Sequence, residues 1–207
     1  MKIKKSLGVV IALLFFVTGV FANDVDKKVL VKGKHARTLA FSPSGDALVM
    51  GINDKIILRT GDDYSEGEIL TKCELGKDVN SVAFSNDGTL VTSCDSGYKE
   101  IFNQDAQIVG LDSTKKPTVK FWNIKGKPKE IKKIPNHDPQ SMIFSSDGNM
   151  LATASSEFSL FNKDKIIIWD VNGDKPEEKH NMSHGFDGFC EAIAFSPTNQ
   201  MLASCSG

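Results

Sequence analysis

Ser141-Met-Ile-Phe144-Ser-Ser-Asp-Gly148-Asn-Met-Leu151-Ala-Thr-Ala-Ser155, followed ten residues on by Lys165-Ile-Ile-Ile-Trp169-Asp170, decides how this chain is read. The first segment reads as a short strand, an Asp-Gly turn and a second strand of small residues. Asp-Gly between two apolar runs signals a hairpin, because glycine takes up the left-handed backbone that a tight turn needs. The second segment is a β-branched run closed by a tryptophan and an aspartate, with a further turn signal, Val171-Asn172-Gly173, directly after it. It barely alternates between apolar and polar residues and so predicts a strand buried on both faces.

The unit recurs. Leu39-Ala-Phe41-Ser-Pro-Ser-Gly45 leads into Ala47-Leu48-Val-Met-Gly51. Val82-Ala-Phe84-Ser-Asn-Asp-Gly88 leads into Leu90-Val-Thr-Ser-Cys94, and Ile193-Ala-Phe195-Ser-Pro-Thr-Asn leads into Met201-Leu-Ala-Ser-Cys205. The four marker phenylalanines, Phe41, Phe84, Phe144 and Phe195, are 43, 60 and 51 residues apart. A repeat of roughly 40 to 45 residues that holds four strands is the signature of a propeller blade. Blades stack face to face, so their inner strands need continuous small-to-medium apolar residues. Val79 to Phe84 and Leu151 to Ser155 have that character.

On these hairpins, together with Phe121-Trp122-Asn123 and Ile168-Trp169-Asp170, the chain resembles the WD-repeat β-propeller family over most of its length after the first 22 residues. The resemblance implies an all-β fold, a propeller segment of four-stranded antiparallel blades. The units fall at about 34–75, 76–135, 136–183 and an incomplete 184–207, within a segment running from 23 to 207. Phe41, Phe84, Trp122, Phe144, Trp169, Asp170 and Phe195 are then structural positions of the repeat. A buried indole N–H needs an acceptor, and Thr153 or Ser155 on the neighbouring strand fits that need for Trp169. Two departures stand out. Arg59 takes the Trp position of the first unit, in Lys55-Ile-Ile-Leu-Arg59. The family's His and Asp, which join a Ser and the Trp in a hydrogen-bonded tetrad, are out of register. His137 and His184 lie in the right loops at shifted spacing, which puts the tetrad in doubt in every blade. The stretch Lys27 to Lys32 resembles the outermost strand of a closing blade.

The bulk numbers are ordinary for one globular domain: 207 residues, 40% apolar and 25% charged. The exception is the start. Lys2, Lys4 and Lys5 precede an uncharged apolar run from Leu7 to Val17, and small residues follow at Val20 and Ala22. This pattern predicts a secretory signal peptide over residues 1–22, cut after Ala22. The apolar stretch is shorter than the roughly 20 residues a membrane span needs. Contact with a membrane is therefore expected only in transit, and the product is expected to be periplasmic or secreted. No cysteine lies near the cut to carry a lipid. Removing residues 1–22 takes three of the 25 Lys and Arg and none of the 26 Asp and Glu, leaving a net charge of −4. Such a balance does not attract nucleic acid. Of the four cysteines, Cys94 and Cys205 each fall ten residues after a marker phenylalanine and read as core; no spacing argues for a pairing of Cys73 or Cys190.

Extra length in the second and third units falls between their second and third strands, at Asp95 to Pro117 and Ser156 to Asp164. In a repeat array such insertions map to one face, often the binding face. They carry Tyr98, Phe102, Phe158 and Phe161, and the adjoining inter-unit connection adds His184, Phe186 and Phe189. Exposed aromatics anchor protein interfaces, whereas aromatics that pack on one another order a long loop; both readings stand at this point.

Chemical motifs are thin. Asp170-x-Asn172-x-Asp174 begins like a calcium loop, but Lys175 and Asn181 stand where glycine and glutamate belong. His180 and His184 have ligand-like spacing without a second pair, and Asn181-Met-Ser183 is a glycosylation sequon. The Lys127 to Lys133 run alternates as a solvent-facing outer strand does. No metal, no cofactor and no catalytic residue is expected. The expectation is an exported, non-enzymatic scaffold that binds protein partners through loops on one propeller face. The alternative is the propeller portion of an exported hydrolase-type enzyme whose catalytic part lies beyond Gly207. At about 43 residues per blade a seven-bladed ring takes roughly 300 residues, so three and a half units are expected to be part of a larger array.

Overall fold

The computed structural model describes residues 9–10, 27–28, 36–64, 66–73, 79–88, 90–95, 99–102, 108–112, 117–156, 164–183 and 190–206; at 9–10, 27–28, 72, 90–95, 99–102, 108–112, 156, 164, 191 and 206 it describes the backbone alone. These residues form strands and turns, with no helix among them. Near the start, β1 (Val9–Val10) pairs in parallel with β2 (Lys27–Lys28). The rest of the expected signal segment and of the Lys27 to Lys32 stretch lies outside the described residues.

Three antiparallel four-stranded sheets follow. The first runs β3 (Ala36–Phe41), β4 (Leu48–Ile52), β5 (Lys55–Thr60) and β6 (Glu66–Lys72). The second holds β7 (Val79–Phe84) and β8 (Leu90–Asp95). Its sequence then departs into a separate hairpin, β9 (Lys99–Phe102) and β10 (Ile108–Asp112), before returning as β11 (Thr118–Asn123) and β12 (Lys129–Pro135). The third is β13 (Ser141–Phe144), β14 (Met150–Ser156), β15 (Asp164–Asp170) and β16 (Glu177–Met182). A last sheet contains β17 (Cys190–Phe195) and β18 (Leu202–Ser206). The first strands β3, β7, β13 and β17 pack in succession, which makes the sheets blades around a common axis.

Register explains the repeat. Phe41 pairs with Leu48, Phe84 with Val91, Phe144 with Leu151 and Phe195 with Leu202. One strand further out, Leu48 meets Arg59, Val91 meets Trp122 and Leu151 meets Trp169. Arg59 thus occupies the tryptophan row of its blade. Its side chain lies over Gly67 on the outer strand, where an added Cβ would meet Arg59 Nη1 at 3.0 Å.

Each turn between the marker strand and the next is built alike. The serine after the marker phenylalanine accepts a backbone hydrogen bond three residues on, from Gly45, Gly88, Gly148 or Asn199, at 2.9 to 3.0 Å. Those four residues have φ of 73°, 68°, 75° and 58°. Left-handed backbone is costly for residues with a Cβ, and only glycine and, less readily, asparagine adopt it routinely. Space is not the reason for glycine, since a Cβ on Gly45 or Gly148 would meet nothing within 4 Å. Serine hydroxyls accept the N–H of the residue entering the next strand, at 2.9 Å from Ala47 and Met150 and 3.1 Å from Met201. They donate in turn to the turn aspartates: Ser42 to Asp46 at 2.7 Å, Ser85 to Asp87 and Ser145 to Asp147 at 2.6 Å.

The core lies as slabs between successive blades. Val49, Ile56, Leu58, Val79, Val82 and Trp122 pack between the first and second. Ala83, Val119, Phe121, Ile134, Phe144 and Leu151 pack between the second and third, and Ala152, Ala154, Ile166, Cys190 and Ile193 between the third and fourth. A fully buried Leu, Ile or Phe contributes roughly 1.5 to 3 kcal/mol, so these slabs hold the blades to one another. On the opposite face of the first blade Leu48, Met50 and Ile52 form a further cluster. The solvent-facing reading of the lysine run holds, because β12 exposes all but two of its residues. The core reading of Cys205 does not. Cys205 is exposed, because it points away from the third blade. Cys73 and Cys190 are buried, and the side chain of Cys94 lies outside what is described.

Candidate interaction face

The two ends of the blades differ in kind. At one end sit the marker turns, and they are stitched to each other. Asn86 donates to the Ser146 carbonyl; the Ser146 N–H and hydroxyl both reach Asn199 Oδ1, at 2.8 and 2.9 Å; and the Ser146 hydroxyl is 3.1 Å from the Pro197 carbonyl. Serine donors hold the Asp46 and Asp147 carboxyls below the usual carboxylate range, Ser44 and then Ser42 acting on Asp46 and Ser145 on Asp147. Lys132 of β12 crosses to the neighbouring blade, where its ammonium donates to the Val171 and Gly173 carbonyls and lies 5.6 Å from the centre of the Phe121 ring. Burial lowers its pKa in spite of Asp174 and Asp170 nearby. The polar groups at this end are largely used up by one another.

The other end carries the insertions. In the first blade the corresponding turn is the short Asn53-Asp54, with Asn53 left-handed at φ 50°. In the second blade it is replaced by the β9–β10 hairpin, whose pairing runs from Phe102–Ile108 to Lys99–Asp112. Phe102 therefore ends β9, while its side chain lies outside what is described. Tyr98, Phe158, Phe161, His184, Phe186 and Phe189 all lie outside the described residues. On the described part of this end, nearer the axis, a polar line crosses three blades. Arg37 donates to Asn80 at 3.3 Å, and Asn80 donates to Asp138 at 3.2 Å. Reading the sequence for aromatics missed this line; its signal is that Arg37 and Asn80 both stand four residues before a marker phenylalanine.

Beneath the same end of the third blade, three side chains of the tetrad do assemble, contrary to what the spacing implied. His137 Nε2 lies 2.7 Å from the Thr153 hydroxyl, and the Trp169 indole N–H donates to that hydroxyl at 3.0 Å. The imidazole and indole rings meet edge-on at 5.5 Å. The correction has a local cause. Asn136, at φ 57°, turns the chain just before His137, and the His137 N–H is tied to the Pro117 carbonyl at 3.0 Å, which aims the ring inward. Thr153 is fully buried and His137 is 8% exposed. Burial, assisted by the Lys165 charge and opposed by Glu178, lowers the His137 pKa to about 4, so the ring is neutral at physiological pH. Trp122, in the same row of the second blade, is buried, and its indole N–H has no partner among the described residues. The cluster is a structural anchor under the insertion-bearing end and offers no nucleophile or open ligand position.

Residues 69–98, from the end of β6 through β8, match the family model of the WD domain, G-beta repeat. No curated protein matches the chain. Among solved structures the chain is similar to the Cps50 (Swd1) β-propeller domain of Myceliophteria thermophila, with 12% identity and a TM-score of 0.55 over 84% of this chain and 51% of that one. It is similar also to Chaetomium thermophilum Sqt1 bound to the N-terminus of ribosomal protein L10, with 15% identity and a TM-score of 0.56 over 84% of this chain and 41% of that one. The chain thus spans about half the length, or less, of the propellers it matches. Residues 69–98 thus match a WD repeat, and the blades around them have the β-propeller fold.

Proposed function

We propose that the chain is a non-catalytic scaffold, exported by its N-terminal segment, that binds protein partners through the insertion-bearing end of its blades. The contrast between the two ends carries the reading. The marker-turn end is short, uniform and hydrogen-bonded to itself. The opposite end varies from blade to blade, from a two-residue turn to an added hairpin, and its sequence holds the aromatics Tyr98, Phe102, Phe158, Phe161, Phe186 and Phe189, with His184. A rigid array that presents variable loops is how repeat proteins build recognition surfaces. One structural relative, Sqt1, is itself bound to the N-terminus of a ribosomal protein.

The test is a chain with Phe102, Phe158 and Phe186 all changed to alanine, alongside a control with Lys125 and Lys175 changed to alanine at the opposite end. A partner recovered by crosslinking with the unaltered chain should be lost by the first variant and retained by the second. Full retention by the triple variant, with circular dichroism unchanged, would falsify the assignment of this face. Export is tested separately, by locating the chain and sequencing its mature N-terminus, which should start at Asn23.

A further inference from the structure

Between the second and third blades, one short segment ties the feet of both insertions. Residues 136–140 connect β12 to β13. The His137 N–H donates at 3.0 Å to the carbonyl of Pro117, where the first insertion rejoins its blade. The His137 ring reaches Thr153, and the Gln140 N–H donates at 2.8 Å to the Ala154 carbonyl. Thr153 and Ala154 both stand on β14, just before the second insertion begins at Ser156. Asp138, in the same segment, accepts from Asn80 of β7 at 3.2 Å. The segment thus joins β7, the start of β11 and the end of β14.

The bonds at Thr153 suit one charge state of the ring. Its hydroxyl receives the Trp169 indole proton at 3.0 Å and lies 2.7 Å from His137 Nε2. A neutral ring with its proton on Nδ1 accepts the Thr153 proton at Nε2, so the hydroxyl and the indole are both satisfied. A protonated ring donates from both nitrogens. The hydroxyl then faces two donors, and its own proton is left to the Ile167 carbonyl at 3.3 Å, a poor bond. Thr153 is fully buried, so a charge beside it also lacks water. Lys165 on β15 opposes protonation of the ring, and Glu178 on β16 favours it. Asp138 of the segment itself is held by Asn80, while β14 and the Pro117–Thr118 step bring no charged side chain. A charged ring is therefore better placed outside, in water.

We propose that segment 136–140 is a proton-operated clasp on the interaction face. With a neutral His137 ring it fixes the feet of both insertions in one arrangement. When the ring takes up a proton and turns out to water, both feet are released together. Asn136, left-handed at φ 57°, directly precedes His137 and is the pivot. His137 is thus a positioning residue that acts through Pro117 and Thr153. The functional side of the proposal rests on the insertion-bearing end being the binding face: that face holds a partner at neutral pH and lets it go in acid.

The test is an acid titration of the full chain, followed by amide NMR together with the His137 ring protons. The amides of Val119 and Ala154, one beside each insertion foot, should shift with the same midpoint as the ring, at about pH 4. Those of Val49 and Ile56 in the first blade should stay in place. His137→Gln keeps an acceptor for Thr153 but takes up no proton, and in it the concerted shift should be lost. Feet that titrate at different midpoints, or that still shift in His137→Gln, are answering to carboxylates and overturn the proposal. So does a first blade that moves with them, since the change is then global unfolding. If His137→Gln does not fold, the unaltered chain decides: one midpoint shared by the ring and both feet supports the clasp, and separate midpoints overturn it. The titration needs no partner. A failed clasp therefore leaves the assignment of the binding face intact, and a face that binds nothing leaves the clasp standing.

Discussion

In the third blade the Thr153 hydroxyl receives the Trp169 indole proton and meets the His137 ring. At the matching register positions the first blade has Met50, buried in an apolar cluster, and Arg59, laid across Gly67. The two blades nevertheless share one strand order, one register and one turn design. The buried polar trio is therefore not what makes a blade. The ladder, the marker turns and the slabs between sheets do that, and the trio is a local device laid over them. Such a device carries an asymmetry of its own. Complete, it contributes modestly; with one partner removed, the remaining groups are left buried and unsatisfied.

Substitution should widen the difference between the two blades. Trp169→Ala opens a void, removes the donor to the Thr153 hydroxyl and takes away the ring that His137 meets edge-on; it should cost about 4 kcal/mol in denaturant unfolding, against about 1 kcal/mol for Arg59→Ala. Mild acid, between pH 6.5 and about 4, should act on the third blade and spare the first. The His137 pKa is about 4 in the folded chain against an ordinary 6.5, so the unfolded chain takes up the proton more readily. Its contribution is present in full above pH 6.5 and is lost as the pH falls towards 4, up to about 3 kcal/mol. Hydrogen exchange should show the third blade opening over that window while the first does not, and His137→Gln should remove the slope. Thr153→Val keeps the shape and deletes the shared hydroxyl, at a cost of about 2 kcal/mol; Met50→Leu at the matching place should stay within about 1.5 kcal/mol. The smallest effect tests where the blades agree. Gly45→Ala and Gly148→Ala should each cost about 1 kcal/mol, equally in both blades, because the penalty is one of backbone conformation.

The sequence made the repeat legible because its signals are local. A marker phenylalanine, a serine, an aspartate and a glycine within eight residues contain most of the chemistry of their turn, and counting along two adjacent strands narrows the acceptor of Trp169 to Thr153 or Ser155, of which the structure shows Thr153. What stayed hidden depends on backbone angles or on other blades. The spacing of His137 looks wrong until the left-handed Asn136 is known to swing the ring inward. Lys132 reads as one more solvated lysine, and nothing in its own strand shows that it reaches carbonyls at 171 and 173. The β9–β10 hairpin was read as plain insertion, since strands of four and five residues carry too little alternation to stand out. Cys205 looked like core because the count from Phe195 copies that from Phe84, whereas exposure depends on which neighbour a strand face has.

The stitched marker turns also set an order of events. The Asn86 side chain finds its acceptor 60 residues later in the chain, and Ser146 finds Asn199 53 residues later. The second and third blades are thus each latched by the one made after it. On a ribosome the second blade emerges and pairs its own strands before Ser146 leaves the tunnel, and waits unlatched for the third, which waits in turn for the fourth. Chain growth and blade closure run in the same direction, so a nascent chain stalled with Met182 emerged and Ser196 still in the tunnel would hold the third blade with its strands paired and its rim open. Pulse proteolysis of stalled chains cut at that point should find the rim sensitive at residues 146–149, with protection arriving only as the turn at 196–199 clears the tunnel.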